Sequence, residues 1–137
     1  MGELRKHRLH MTGKELFYLE KEITKAKRLN MTCHLVERMN EKKITQGELN
    51  YALKNYDIVE FHRKNNSNRV LIRSNQGKSC ICIVICLDNS NIVTAYKNSK
   101  TDKHQTIKWE EYSDFNILDY IEPKIKYNYE RKICYEA

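Results

Sequence analysis

One proline and four glycines in 137 residues leave little material for linkers or disordered tracts. No Pro/Gly/Ser-rich boundary, internal repeat or low-complexity tract divides the chain, so a single domain over residues 1–137 is expected. No apolar run approaches the roughly 20 residues needed to span a bilayer. The start MGELRKHRLHM lacks the apolar stretch of a signal peptide, and a cytoplasmic protein without a membrane partner follows as the expectation. Also missing are a glycine-rich phosphate loop, an acidic cluster, H-E-x-x-H and a G-x-S-x-G elbow. These absences argue against nucleotide hydrolases, two-metal nucleases, zinc proteases and serine hydrolases, and no cofactor is expected. The five cysteines form no recognisable disulfide framework. Cys80, Cys82 and Cys86 fall on one face of a strand as C-x-C-x-x-x-C, without the paired C-x-x-C knuckles of structural zinc sites. Buried thiols in a reducing compartment, with no bound metal, fit that spacing best.

What the chain does have is positive charge. The formal net charge of +7 favours an anionic partner, most simply nucleic acid. Hydrophobic period then places the elements. T-G-K-E at Thr12 to Glu15 is a capping box followed by Leu16, Leu19, Ile23 and Ala26 at helical spacing, and that helix is expected to end near Asn30. A shorter helix begins around Thr32 with Leu35, Val36 and Met39, and T-Q-G-E at Thr45 to Glu48 caps a third. After Tyr56 the period changes to two. DIVEFHR, RVLIRS, SCICIVICL and NIVTAY read as strands joined by short turns, and such connections imply antiparallel hairpins. The expected fold is α+β, with N-terminal helices packed on a four- to five-stranded antiparallel sheet. WEEYSDFNILDYIE can cover the sheet as a last short strand or helix, and the basic, aromatic end of the chain is expected to fray.

Several residues can carry chemistry. His34 and Arg38 lie four apart on one face of the second helix, at the border of the Met31, Leu35 and Met39 stripe. Taken alone, the pair is better explained as an exposed helix face that happens to hold His and Arg. Alternation puts Ile92, Thr94 and Tyr96 on one face of the fourth strand and Val93, Ala95 and Lys97 on the other, although Thr and Tyr are also ordinary strand formers. Lys97, Lys100, Lys103 and His104 follow, in a run that simple solvation would also account for.

H-x-x-x-R, then I-T, a helix, R-V-L-I-R, a hydrophobic strand and I-V-T-A-Y with a downstream D-x-H-x-T together resemble a small domain family of phage and mobile-element proteins. That family is similar to the compact ribonuclease-toxin fold of barnase, EndoU, colicin D and RelE. The resemblance covers residues 31–112. It leaves 1–30 as an N-terminal helix extension and 113–137 as a C-terminal extension, and Lys43 stands where the pattern expects arginine. It implies a metal-independent endoribonuclease that uses the 2′-hydroxyl of RNA as nucleophile. His34 or His104 would transfer protons, Arg38 or Arg73 would hold the phosphate, and Thr94 and Tyr96 would orient it. Arg63, Lys64, Arg69, Arg73, Lys97, Lys100 and Lys103 would attract RNA. The same scaffold would also serve a non-catalytic inhibitor or RNA-binding protein acting on a host protein or ribonucleoprotein. Geometry separates the two: His34 and His104 on the face of Thr94 and Tyr96 favour the enzyme, and either one remote from it favours the binder.

Overall fold

The computed structural model describes residues 3–25, 29–74, 79–99 and 107–121. Strand β1 (Glu3–His7) leads through a 3-10 turn (Arg8–His10) into α1 (Gly13–Lys25). Then come β2 (Asn30–Met31), α2 (Cys33–Lys42) and α3 (Gln46–Lys54). Four strands follow, β3 (Tyr56–Lys64), β4 (Ser67–Ser74), β5 (Ser79–Cys86) and β6 (Asn91–Ser99), and a second 3-10 turn at Trp109–Glu111.

Local chemistry accounts for the helix starts. At α1 the Thr12 hydroxyl accepts the Glu15 N–H at 3.1 Å while the Glu15 carboxylate accepts the Thr12 N–H at 2.8 Å. Thr45 and Glu48 make the same reciprocal pair at α3, and the Thr32 hydroxyl caps α2 through the Leu35 N–H. Helix α2 ends on Lys43 in the left-handed region (φ 56°), a conformation that is strained for a side chain with a Cβ. The β3–β4 hairpin turns on Asn65 and Asn66, both with positive φ, as a two-residue turn matching strand twist demands.

The fold is α+β, and the sheet differs from the expected one. Among the described residues it has six strands in the order β1-β3-β4-β5-β6-β2, and it is mixed. β3 to β6 form the antiparallel meander and β1 joins antiparallel to β3, but β2 runs parallel to β6 through Asn30–Asn91 and Met31–Ile92. Both extra strands escape hydrophobic periodicity: β2 is two residues long, and the buried positions of β1 are Lys6 and His7. Residues 26–28, over which the first helix was expected to continue, lie outside the described residues, and Asn30 is already strand.

One face of the sheet is dry. Phe61, Val70, Ile72, Ile83, Ile85, Ile92 and Ala95 meet Leu19, Ile23, Leu35, Met39 and Leu49 from the helices in one core. The fourth strand does not keep a period of two. Ile85 pairs with Ile92 and Val84 with Thr94, so Val93 is an extra residue. Ile92 therefore shares the core face with Ala95 instead of lying beside Thr94 and Tyr96. A similar irregularity at Val59 separates Ile58, on the core side, from Glu60.

A buried ion pair joins the edge strand to this core. Lys6, 6% exposed, donates to both oxygens of Glu15, 1% exposed, at 2.9 and 2.8 Å, and to the Phe115 carbonyl at 2.7 Å. Glu15 also accepts the Ile117 N–H at 2.9 Å. Burial alone would raise the Glu15 carboxyl, but Lys6 and the N–H groups of Thr12 and Ile117 outweigh it and hold its pKa below the usual 4.5. A depressed carboxyl contributes stability above its unfolded pKa and loses it as pH falls through the folded one. Acid unfolding of the parent should thus weaken in Glu15→Gln. Breaking the pair by Glu15→Gln or Lys6→Met should cost about 3–5 kcal/mol at neutral pH, read from urea midpoints at constant slope.

Candidate functional site

The face turned away from the helices gathers ionisable side chains from several strands. Alternation along each strand sends Arg5, Glu60 and His62, Arg69 and Arg73, Cys82 and Val84, and Thr94 and Tyr96 to it, and the register aligns them in rows. His62 lies opposite both Arg5 and Arg69; Val84 lies opposite Leu71 and Thr94; Cys82 lies opposite Arg73 and Tyr96. A cleft of about 300 Å³ opens there, with Arg5, Glu60, His62, Arg69, Thr94 and Tyr96 in its lining. Val59, Leu71 and Cys82, with Val84 and Tyr96 against them, form a small apolar patch on this same face. A larger recess of about 600 Å³ lies on the helix side, and Ile23, Leu29, Leu49, Leu53 and Tyr56 make it mainly apolar.

The charges of the cleft are unequally satisfied. Glu60 is buried, with Oε2 at 2.5 Å from the Arg5 guanidinium and Oε1 accepting the Tyr112 hydroxyl at 2.8 Å. His62 is mostly buried, and its Nε2 lies 3.5 Å from Glu3 Oε2. Burial first, and then the Arg5 charge, press its pKa below the ordinary 6.5 against the pull of Glu3 and Glu60, which favours the neutral imidazole. Arg69 is the exception to pairing. Its Nε is shut off from solvent with no hydrogen-bond partner, and its guanidinium makes no ion pair among the described residues.

The structure divides the residues expected from the sequence. Thr94 and Tyr96 share the cleft with Arg69, and Arg73 and Lys64 lie on the same face, Lys64 at 3.4 Å from Glu3. Arg63 points to the opposite side, where it donates to Asn68 at 2.6 Å and covers the Tyr120 ring at 4.4 Å. Lys97 likewise turns to the helix side, 3.7 Å from Glu48 of α3. His34 and Arg38 are exposed on α2, and neither lines the cleft. Val36 and Asn40 line the groove beside Thr45 and Gln46, which leaves His34 and Arg38 on the other flank of the Leu35–Met39 stripe. Helix α2 packs along β6. Lys100, Lys103 and His104 lie outside the described residues.

Arg5, Glu60 and His62 line the cleft, and Tyr112 bonds Glu60, without any of the four having been singled out from the sequence. One signal for them was present. Glu60 and His62 stand two apart in the strand DIVEFHR, and two ionisable groups on one face among the apolar Ile58, Val59 and Phe61 are unusual enough to mark that face. Tyr112 arrives from far along the chain. The Ser113 N–H bonds the Arg5 carbonyl at 2.9 Å, so the segment passes beside β1, with Tyr112 toward Glu60 and Ile117 in the main core.

Residues 31–97 match the model of a family described as a domain of unknown function (DUF4258). The match runs from β2 into β6 and includes His62, Arg69, Thr94 and Tyr96; β1, with Glu3 and Arg5, lies outside it. No curated protein and no solved structure matches the chain.

Tyr112→Phe should leave Glu60 one hydrogen bond short. A loss of about 1–3 kcal/mol is expected from withdrawing a donor from a buried carboxylate, measured as a shift of the urea midpoint.

Proposed function

We propose that this protein is a metal-independent endoribonuclease that binds RNA on the open face of its sheet and cleaves it by attack of the 2′-hydroxyl. The observation that carries the reading is Arg69, a partly buried guanidinium without a partner among the described residues, in one cleft with Thr94 and Tyr96. A guanidinium already stripped of much of its water, with its fork unoccupied, suits a phosphate oxygen pair better than it suits isolation. The Thr94 hydroxyl and the Tyr96 phenol add polar groups from a neighbouring part of the sheet. Arg73 and Lys64 extend positive charge along the same face, in keeping with the net charge of +7. The resemblance to the ribonuclease-toxin fold supports a cleavage mechanism of this type, and to a protein of phage or mobile-element origin it would give a toxin-like role. Fixed cations that meet the charge developing on phosphorus would lower the barrier without a metal.

A second reading keeps the surface and drops the cleavage. It is favoured by the place of His34, which is exposed on α2 and absent from the cleft lining. On that reading the protein binds RNA, or a host protein or ribonucleoprotein, through the same face.

Labelled total RNA incubated with the protein in EDTA separates the two. Discrete fragments are expected, and Arg69→Gln should lower their rate of appearance by about a hundredfold or more. It should also flatten the salt dependence of RNA binding, whereas Arg63→Gln, on the other side of the sheet, should leave that slope almost unchanged. Tyr96→Phe tests the phenol, and His34→Ala and Arg38→Ala test the flank of α2. RNA bound with a steep salt slope but never cut would establish the second reading.

A further inference from the structure

We infer that His62 is the proton acceptor of this site, taking the proton of the RNA 2′-hydroxyl on Nδ1, and that Glu3 positions its ring. The inference rests on the cleavage reading above and deepens it by naming a base. Three observations carry it. His62 lines the cleft beside Arg69, its cross-strand neighbour, so a phosphodiester held by that guanidinium lies within reach of the imidazole. Its Nε2 is sealed from solvent without a hydrogen-bond partner, and Glu3 Oε2 lies 3.5 Å from it. The negative charge of that nearby carboxylate favours the tautomer with hydrogen on Nε2, which leaves the lone pair on Nδ1. Finally, Nδ1 makes no hydrogen bond among the described residues, so no described group competes with an incoming hydroxyl for its lone pair. A nucleophile's base oriented by a third group is the arrangement that general-base chemistry requires.

The step balances. The 2′-oxygen gives its proton to Nδ1 and forms a bond to phosphorus. The bond from phosphorus to the 5′-oxygen breaks, and that oxygen leaves with a proton from solvent. The products are a 2′,3′-cyclic phosphate and a 5′-hydroxyl end.

The charges around the ring come from three strands: Glu3 and Arg5 on β1, Glu60 and Lys64 on β3, and Arg69 on β4. Burial and Arg5 favour the neutral base, while the Glu3 and Glu60 carboxylates favour the imidazolium. Activity should therefore rise with pH through an acidic limb below pH 6.5 and then level, because only neutral His62 accepts the proton. Glu3→Gln removes one carboxylate that stabilises the imidazolium, so the limb should move to lower pH.

The experiment is single-turnover cleavage of a labelled RNA in EDTA as a function of pH, for the parent, His62→Asn, His62→Ala and Glu3→Gln, with circular dichroism as the folding control. His62→Asn should lose about a hundredfold or more of the rate and all of the acidic limb. Added imidazole should restore part of the rate of His62→Ala, which a purely structural histidine would not permit. Should the His62 variants fail to fold, the shift of the limb in Glu3→Gln, at an exposed edge, decides alone. A parent that cleaves while His62→Asn keeps its rate and limb overturns His62 as the base and leaves cleavage at this face standing. A parent that cuts no RNA overturns both.

Discussion

A lysine and a glutamate buried side by side hold three remote parts of this chain in one place. Removing either charge from water costs several kcal/mol, and only a complete set of partners offsets that cost. Glu15 has that set in Lys6 and in the N–H groups of Thr12 and Ile117, and Lys6 adds the Phe115 carbonyl. The start of α1, the edge strand β1 and the crossing at 115–117 thus come together or not at all. Because alternate residues of a strand point to opposite faces, anchoring Lys6 on the helix side sends Arg5 to the open side. There it meets Glu60, which Tyr112 holds from the same crossing segment. An interaction in the core thereby sets the charge pattern of the opposite face.

The sheet keeps its main core and its row of charged side chains on opposite faces. In β4, Val70 and Ile72 are fully buried in the main core, while Arg69 and Arg73 occupy the alternate positions. A side chain on the open face is supported by neighbouring strands and can be changed without opening the main core. The apolar patch of Val59, Leu71 and Cys82 screens that face from water and strengthens the field of a guanidinium beside it. An unpaired arginine would be a pure loss if the surface only had to be soluble. On a surface that receives phosphate, the same desolvation is spent before the ligand arrives.

Much of this order was legible in the sequence. The four meander strands show as blocks of period two, and the two capping boxes at Thr12 and Thr45 formed as written, because both signals depend on residues within a few positions of each other. What escaped depends on the far chain. Nothing local in ELRKH announces a strand whose buried members are Lys6 and His7, since their burial is permitted only by partners such as Glu15. The bulge at Val93 also left no mark, and strict alternation therefore sent Ile92 to the wrong face while still placing Thr94 and Tyr96 together. The basic residues could be counted but not sorted. Arg63 and Arg69 are separated by a two-residue turn, yet pairing sends one to Asn68 and Tyr120 and the other to the cleft.

The same distinction bears on where a proton acceptor should be sought. His34 stands exposed on α2 and makes no hydrogen bond among the described residues, so nothing there fixes its ring or chooses its tautomer. His62 has a carboxylate at one nitrogen, a cleft at its face and a guanidinium across the strand. Burial favours its neutral form, and neutrality is the state a base must start from. A histidine on a helix face attracts notice in a sequence because its spacing to Arg38 is visible there. His62 draws none, because Glu3 and Arg69 are brought beside it only by strand pairing.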